Sequence, residues 1–520
     1  MPSLRGGFLG GSVFLASGAR ESFDGLFFSG EGDAEFLELL DLGRRLLATG
    51  DVDYPSLLAL YDGGLDGFLE GPGWNGWWTQ NSYGTAMGAM PFLEPVAWHA
   101  IRHSFSWWFD SMADGKKIDD AWHTTGPVAA PDGTLCDAAL PCGPEKNCCA
   151  HRQGDGSPGH SLMEYDWILE GTLSGIMMQS EQLLIGRNLT GIRDMMPLFE
   201  RTSHLLESRR DPDMENATFL SGPAGNLLAP SFGGAPTSQG FGGKAALAGL
   251  SVTYTAALDR LIACAELLSD DELAVEFRRR RELNLKGLEL LKAPSGKHFV
   301  RSRDPDGTLH GVPGQDRYGY FETSPNIDAV AFRIVDDEDA ETIMAAIDDM
   351  DEELRPNIFL LPNGDAGNGV GYDDMLCGSG HQCGGIFEYG HWVNGGVWST
   401  VEGRAFLAYF RTGRYDRIRK SMLNMLRKFV STWRMDAPLI DFGLTPWFSD
   451  RDINLTIDAF ALAAAILRGL FEYVYGSEEL TLLPHLPDGI SSLVQKFGVR
   501  WGPYRLFIST NGRPSSGIKA

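Results

Sequence analysis

The sequence predicts an all-α fold, a toroidal barrel built from helical hairpins. Helical stretches follow one another in a continuous series from residue 34 to residue 475, beginning with the apolar spacing of AEFLELLDLGRRLLA. They differ in polarity, because SLMEYDWILEGTLSGIMMQSEQLL is apolar on most sides whereas DDELAVEFRRRRELNLKGLELL carries one broad charged face. A helix that is apolar nearly all round must be buried between layers, and a striped helix lies outside. Inner and outer helices therefore alternate along the chain.

Short β-elements are expected at both ends of this series. Residues 1–30 contain GGSVFLASG and GLFFSG, which we interpret as strands leading into the fold. The barrel is expected to occupy residues 31–476, with helices near 34–48, 83–112, 161–186, 190–209, 243–268, 270–292, 337–350, 400–412, 415–433 and 455–475. Residues 477–520 alternate in short runs broken by Pro-Asp-Gly and Gly-Pro turns, which predicts β-hairpins packed on the barrel. Because the last residues resemble the middle of a β-region, we expect the natural chain to continue.

The charge of the chain excludes several classes of partner. It has 69 acidic and 44 basic residues and a formal net charge of -25 at pH 7. Such a surface repels phosphate backbones and anionic lipid, so nucleic acid and membranes are not expected partners. No apolar run reaches the roughly 20 residues that span a bilayer. A neutral substrate suits this charge best.

Six of the seven cysteines lie in two loops. Cys136, Cys142, Cys148 and Cys149 crowd one loop, Cys377 and Cys383 share another, and Cys264 stands alone in a helical run. Paired loop cysteines predict disulfides and therefore a secreted protein or another oxidising compartment. A zinc site that includes Cys377, His381 and Cys383 is the alternative. Its spacing lacks the C-x2-C knuckle of common zinc modules, so we expect neither a metal nor a cofactor.

The stretch EGPGWNGWWTQNSYG, residues 70–84, suits carbohydrate. Indole rings pack on the apolar C–H faces of sugars, and amides and carboxylates bind their hydroxyls. The alternative is that the tryptophans wedge a helix into the core. The candidate sugar-binding residues are Glu70, Trp74, Trp77, Trp78, Gln80 and Asn81.

Two further stretches offer acidic side chains. Glu164 and Asp166 are two positions apart and cannot share one helix face, so each would need a partner carboxylate elsewhere. The alternative is that they favour a helix N-terminus through the macrodipole. In DRYGYFETSPNIDAVAF, Glu322 is the better functional candidate, whereas Asp328 is expected to be an N-terminal helix cap.

The richest stretch is GYDDMLCGSGHQCGGIFEYGHWVNGGVWSTVEG. Its candidate side chains lie in a loop too polar to fill a core: Asp374, Glu388, His391, Asn394 and Trp398. Glu402 is ambiguous, because Ser399 and Glu402 have the S-x-x-E spacing of a capping box. A structural role for Glu402 is as well supported as contact with a substrate. Gly413 is expected to end the helix that follows.

With these stretches in order, residues 30–510 resemble the six-hairpin glycosidases, a superfamily with an (α/α)6 barrel that includes glucoamylases, trehalases, rhamnosidases and disaccharide phosphorylases. The resemblance rests on the helix alternation, on WWTQNSYGTAMGAMPFL and on WVNGGVWSTVEGRAFLAYFRTGR, which is similar to the NGG(I/V)W loop and following helix. It implies inverting hydrolysis by two facing carboxyl groups ~6.5 to 9.5 Å apart. In the phosphorylase-like members a catalytic Glu follows a G-P motif, but the stretch of this chain with that motif, SGPAGNLLAPSFGG, has no acidic residue. Either the acid comes from another loop, or this chain is not a phosphorylase of that type.

The leading hypothesis is a glycoside hydrolase acting on a neutral glycan or glycoside. Glu388 is the favoured catalytic carboxyl group, with Asp166 or Glu322 opposite, and Glu164, Asp374 and Glu402 complete the candidates. Two alternatives remain open. One is a non-catalytic carbohydrate-binding protein on the same barrel. The other is a polysaccharide lyase, which would need a uronic-acid substrate that the acidic surface disfavours.

Overall fold

A computed structural model describes most of the helical series and both terminal β-regions. The described residues are 21–50, 55–71, 76–114, 117–118, 128–129, 132–136, 138–141, 150–152, 158–160, 169–219, 245–314, 321–349, 376–377, 381–382, 397–425, 436–437, 456–511 and 518–519.

The described residues include twelve α-helices. They are α1 (Ala34–Ala48), α2 (Thr79–Ala89), α3 (Pro95–Asp110), α4 (Leu169–Gly186), α5 (Leu189–Glu207), α6 (Ala248–Leu267), α7 (Asp271–Glu289), α8 (Thr323–Ala331), α9 (Asp337–Asp348), α10 (Ser399–Arg411), α11 (Tyr415–Asn424) and α12 (Ala461–Phe471). The stretch predicted as one helix at 83–112 is divided into α2 and α3, because Pro91 and Pro95 interrupt it. The stop predicted at Gly413 is confirmed by its φ of +69° just after α10.

The even-numbered helices are the inner ones, and each is in contact with the next even-numbered helix. The contacts also link α12 back to α2. The odd-numbered helices lie outside, as α7 does on α6 and α1 on α12. The prediction from polarity is confirmed at both extremes. All residues of α12 are buried, whereas α7 buries one stripe and turns its charged side chains to solvent.

The inner helices α2, α10 and α12 run in the same direction, and two glycines let them approach closely. Gly84 of α2 lies against Thr400 of α10, where a Cβ atom would stand 2.1 Å from the Thr400 carbonyl oxygen. Further along α2, a Cβ on Gly88 would stand 2.8 Å from the Cβ of Ala464 in α12. Thr85 of α2 contacts Ile457 and Ser399 of α10 contacts Asp458, both just before α12, so the N-terminal ends of the three helices lie together.

The strands are short and lie between or beyond the helices. They are β1 (Ser22–Asp24), β2 (Phe28–Glu31), β3 (Tyr61–Asp62), β4 (Gly67–Phe68), β5 (Trp77–Trp78), β6 (Lys117–Ile118), β7 (Val128–Ala129), β8 (Ala138–Ala139), β9 (Ala150–Arg152), β10 (Pro158–His160), β11 (Ala246–Leu247), β12 (Ser302–Arg303), β13 (Leu309–His310), β14 (Leu376–Cys377), β15 (His381–Gln382), β16 (Val397–Trp398), β17 (Asp436–Ala437), β18 (Val474–Tyr475), β19 (Leu480–Leu482), β20 (Ser492–Gln495), β21 (Val499–Trp501), β22 (Tyr504–Leu506), β23 (Ser509–Asn511) and β24 (Ile518–Lys519).

The two ends of the chain share one sheet. Its strand order is β1-β2-β20-β23, and all three pairings are antiparallel. The Asp41 carboxylate of α1 accepts hydrogen bonds from the backbone N–H groups of Phe27 and Phe28 at 2.6 and 2.9 Å, which fixes β2 against the helices. Among the described residues, no helix combines the length and the apolarity needed to cross a bilayer.

Candidate active site

Backbone contacts bring Glu70 to the N-terminal ends of three inner helices. The Glu70 carbonyl oxygen accepts a 2.8 Å hydrogen bond from Ile457 N, just before α12, and Glu70 N donates to Gly76 O at 2.7 Å ahead of α2. Ser399 Oγ, at the start of α10, donates to Asp458 O at 2.9 Å. The starts of α2, α10 and α12 therefore form one connected end of the helix array.

This end of the array holds two buried carboxylates. Glu70, a predicted sugar-binding residue, is fully buried, and Asp458 is almost so. Asp458 is not among the residues predicted from the sequence, although it is the one charged residue in the mostly apolar run TIDAFALAAAIL. Burying an ionised carboxylate costs free energy because the charge loses its hydration. A buried Asp or Glu therefore needs hydrogen bonds or an opposite charge nearby to compensate.

The adjacent tryptophans Trp77 and Trp78 have different surroundings. Trp77 is 0% exposed and stacks with Phe68 and Trp108 at centroid distances of 6.2 and 6.1 Å. Trp108 Nε1 also donates to Trp77 O at 2.8 Å. Successive side chains of a strand point to opposite faces, so Trp78 points away from this aromatic cluster. The surroundings of Trp77 favour the packing alternative, and those of Trp78 leave contact with a sugar open.

A second group lies ahead of α8. Glu322 occupies the N-cap position of α8 and is buried, and Phe321 packs its ring 5.0 Å from the ring of His298. Burial lowers the pKa of His298, so its imidazole is neutral at pH 7. The Asn326 amide is committed to structure, because it bonds both Phe299 N and Phe299 O, at 2.8 and 2.9 Å.

A buried charged hairpin adjoins this group, and none of its residues is among those predicted from the sequence. Strands β12 and β13 pair with each other, and β12 also pairs with β11 directly before α6. His310 Nε2 lies 3.1 Å from Asp304 Oδ2, and both side chains are buried beside Arg301. The hairpin places these groups at the start of α6.

Glu402 lies between an inner and an outer helix. Its Oε1 accepts a 2.7 Å hydrogen bond from Ser421 Oγ of α11, while the Ser399 hydroxyl is directed to Asp458 O. These contacts hold the Glu402 side chain within the α10–α11 hairpin, which favours its structural interpretation.

The N-cap interpretation of Asp328 is wrong. Helix α8 begins at Thr323, and Asp328 lies within it, where it forms a buried ion pair with Arg404 of α10. The TSPN segment ahead of Asp328 already forms the first turn. The apolar AVAF run therefore marks the end of the helix and not its start.

The structure describes the backbone of three further predicted site residues. Gln80 and Asn81 lie in the first turn of α2, and Trp398 lies in β16, whose backbone pairs with β17. Nothing is described of these three side chains. Trp74, Glu164, Asp166, Asp374, Glu388, His391 and Asn394 lie outside the described residues.

The bonding state of Cys136 agrees with the prediction of disulfides in its loop. Cys136 is disulfide-bonded. Cys264 is a free thiol buried in α6, and burial raises its pKa well above the ordinary value. Within the described ranges, no three His, Cys, Asp or Glu side chains are grouped as metal ligands would be.

Comparison with known proteins gives matches among solved structures alone. No protein-family profile matches the sequence, and no curated protein does. The GH78 family rhamnosidase of Bacillus sp. GL1 matches with a TM-score of 0.54 and 14% identity over 94% of this chain, which spans 40% of that protein. A rhamnosidase from Klebsiella oxytoca, solved with rhamnose bound, matches with a TM-score of 0.51 and 12% identity over 84% of this chain and 64% of the other.

The GH63 mannosylglycerate hydrolase from Thermus thermophilus, in complex with Tris and D-glycerate, has a TM-score of 0.50 and 15% identity over 79% of this chain and 97% of that one. The fold of this chain resembles that of the six-hairpin glycosidases. The likeness predicted from the helix alternation and the NGGVW stretch is therefore confirmed at the level of the fold. One fold hosts many activities, so identities this low leave the substrate and the reaction to the residues of the site.

Proposed function

We propose that this protein is a glycoside hydrolase that cleaves a neutral glycan or glycoside. The supporting observation is the fold likeness to a rhamnosidase over 94% of the chain. Three carboxylates buried at the starts of inner helices, those of Glu70, Glu322 and Asp458, suit a reaction that depends on carboxyl groups. The net charge of -25 favours an uncharged substrate.

We also propose that the inner helices close into an (α/α)6 toroid with the sugar bound at their N-terminal ends. The contacts that link each even-numbered helix to the next, and α12 to α2, support this closure. Glu70 and Trp78 would line the site together with residues of the loops before α4 and α10.

In the proposed mechanism, one carboxylic acid protonates the departing glycosidic oxygen while a second carboxylate removes a proton from the attacking water. The two groups would stand ~6.5 to 9.5 Å apart, which leaves room for that water and inverts the anomeric carbon. We assign one role to Glu388 and the other to Asp166 or Glu322, with Glu164 and Asp374 next in rank. Glu402 ranks last because Ser421 holds its carboxylate.

Activity assays on single variants test this proposal. The purified chain is assayed on aryl α- and β-glycosides of neutral sugars, rhamnosides and glucosides included, and on neutral oligosaccharides. Loss of a general acid or base typically lowers the rate by about 10²–10⁴-fold. We expect a loss of this size in Glu388→Gln and in Asp166→Asn or Glu322→Gln.

Glu402→Gln is the matched control, and its kcat is expected to stay close to that of the unchanged protein. NMR of the first product is expected to show the inverted anomer. Circular dichroism verifies that each variant folds. The proposal fails if no glycoside is hydrolysed, or if Glu388→Gln, Asp166→Asn and Glu322→Gln all keep full activity.

We propose, finally, that the protein works outside the reducing cytosol. The disulfide at Cys136 supports an oxidising compartment.

A further inference from the structure

The hairpin formed by β21 and β22 places two arginines side by side. Arg500 of β21 is the direct cross-strand partner of Arg505 in β22, and the two strands are antiparallel. Side chains that lie directly opposite each other have Cβ atoms about 4.5–5.5 Å apart, and like charges at such positions destabilise a sheet. A negative charge bound between the two arginines would remove this repulsion.

The hairpin lies away from the candidate active site. Gly502, in the turn of the hairpin, donates a 2.7 Å backbone hydrogen bond to Ile185 O in the last turn of α4. Strand β21 also contacts the segment Met90–Phe92, which directly follows α2. Both contacts are made at the C-terminal ends of inner helices, whereas the candidate active site lies at the N-terminal ends.

A third arginine, Arg44 of α1, lies behind the pair. Its side chain is 1% exposed and forms an ion pair with Glu94, the N-cap residue of α3. The Arg44 guanidinium stands 4.6 Å from the centre of the Phe497 ring, which holds it beside the hairpin. Burial is the main cause of the lowered pKa of Arg44; Glu94 opposes this effect and the charge of Arg505 adds to it. Arg44 and Arg505 are therefore near neighbours.

The three guanidinium groups share one carboxylate. Among the described residues, Glu94 is the carboxylate whose charge raises the pKa of Arg44 and of Arg500. Within the same part of the chain, neither Arg500 nor Arg505 forms an ion pair. With Glu94 bound to Arg44, two positive charges remain without a counter-charge, in a chain whose net charge is -25.

Arg500 differs from an ordinary solvated arginine because its side chain is held in place. Its guanidinium lies 4.3 Å from the ring centre of Trp98, in the first turn of α3. Burial, and next the neighbouring charge of Arg505, lower the pKa of Arg500 to about 10. Arg500 is therefore still charged at pH 7, although it has lost part of its hydration beside a like charge.

The pair keeps accessible donors for a ligand. Nε of Arg500 and Nη1 of Arg505 are buried, whereas the remaining guanidinium nitrogens of both side chains are accessible to solvent. The Glu94 side chain is directed to Arg44 and does not cap α3. The first turn of α3, with its free backbone N–H groups and the positive end of its macrodipole, thus lies beside Arg500.

We propose that Arg500 and Arg505 together bind a phosphate dianion at the N-terminal end of α3. A dianion matches the two uncompensated positive charges, and its oxygens accept charge-assisted hydrogen bonds from guanidinium groups. The N-terminal end of a helix favours the same ligand. The phosphate is either the free ion or a monoester group on a larger molecule, since both present the same oxygens.

Calorimetric titration of the full chain tests the proposal and distinguishes the two sources. Inorganic phosphate and glycerol 2-phosphate are titrated separately at about pH 8, where both are mainly dianions, with the ionic strength held constant by sodium chloride. We expect saturable binding of at least one, and the tighter of the two identifies the source. Acetate carries one charge and is expected to bind at least about tenfold more weakly.

Two substitutions of Arg505 separate ligand binding from a structural role. Arg505→Met is expected to weaken phosphate binding at least about tenfold, the scale of a lost charge-assisted hydrogen bond. Arg505→Glu turns the like-charged pair into an opposite-charged one. We therefore expect it to lose phosphate binding and yet to be at least as resistant to urea as the unchanged protein in buffer without phosphate.

Arg279→Met is the matched control, because it removes the same charge from the exposed surface of α7. Its phosphate affinity is expected to equal that of the unchanged protein. The site is refuted if neither phosphate compound saturates the protein, if acetate binds equally well, or if Arg505→Glu retains binding. A loss of affinity in Arg279→Met as large as in Arg505→Met would also refute it.

Discussion

Arg404 Nε donates a 2.7 Å hydrogen bond to Asp328 Oδ1, and the two side chains are 1% and 0% exposed. Arg404 belongs to α10 and Asp328 to α8, so the ion pair joins two neighbouring inner helices. The Arg404 guanidinium also stands 4.3 Å over the ring of Tyr83 from α2. Three inner helices therefore meet at one buried cation.

Removing one partner of this pair is expected to be far more harmful than removing both. Asp328→Ala leaves the Arg404 charge buried without its partner, which costs about 3–5 kcal/mol of unfolding free energy. The double variant Asp328→Leu with Arg404→Met is expected to recover much of that loss, because an apolar pair of similar volume needs no desolvation of charge. Urea denaturation measures both.

The control for this pair is Arg278→Ala, which removes the exposed pair with Glu266. Exposed ion pairs contribute only about 0–1 kcal/mol, since solvent screens them. An Asp328→Ala variant no less stable than Arg278→Ala would contradict the prediction.

Acid stability is expected to depend on Glu181. Its folded-state pKa lies below the ordinary value of 4.5, because Arg468 and Arg260 outweigh the effect of burial. A depressed pKa stabilises the fold fully above pH 4.5, and this stabilisation is lost as the pH falls through the folded-state pKa. In Glu181→Gln, the unfolding free energy should therefore decline less steeply below pH 4.5 than in the unchanged protein.

Glu282 of α7 is exposed, and Glu282→Gln provides the comparison for this measurement. Chemical denaturation at a series of pH values gives the slopes. Equal slopes for the unchanged protein and Glu181→Gln would count against the assignment.

Gly84 is expected to tolerate no side chain. A Cβ atom there would meet the Thr400 carbonyl oxygen at 2.1 Å, and backbone cannot move aside as a flexible side chain can. We expect Gly84→Ala to lose at least about 1–3 kcal/mol, the usual scale of overpacking. Thermal unfolding measures the loss, and Gly63→Ala is the control, because its Cβ would have no neighbour closer than 3.8 Å. Similar melting temperatures for the two variants would refute the close approach of α2 and α10.

Substitutions of the neighbouring residues Trp77 and Trp78 are expected to change different properties, the stability of the fold and the binding of substrate. Trp77→Ala opens a cavity between Phe68 and Trp108, so its unfolding free energy should fall by about 3–5 kcal/mol. Trp78→Phe keeps an aromatic ring, so it should unfold close to the unchanged protein but bind substrate more weakly, seen as a raised KM. Denaturation curves and glycoside kinetics separate the two effects. A raised KM in Trp77→Phe with none in Trp78→Phe would reverse the assignment.

Periodicity in the sequence predicted ten of the helices and the inner or outer position of the most and least apolar ones, but it joined α2 to α3 and did not predict α8. Apolar residues around most of 161–184 and 454–476 mark α4 and α12 as inner, because no other placement removes such helices from water. Short motifs predicted local structure less well than periodicity did, because one motif can fit two different structures. Asp328 stands before an apolar run as a helix cap would, but the TSPN segment ahead of it is already helical.

The sequence by itself determined the class of the fold, the inner position of the apolar helices α4 and α12, the outer position of α7 and the chemical character of the loops, because those depend on residue type and spacing along the chain. The tertiary structure decided which side chains meet. It placed Glu70 beside Ile457, set Asp304 against His310, and directed Glu402 to Ser421 and Arg404 to Asp328. Apart from Asp304 and His310, these partners are 19 to 387 positions apart, and only the packing of separate helices and loops makes them neighbours.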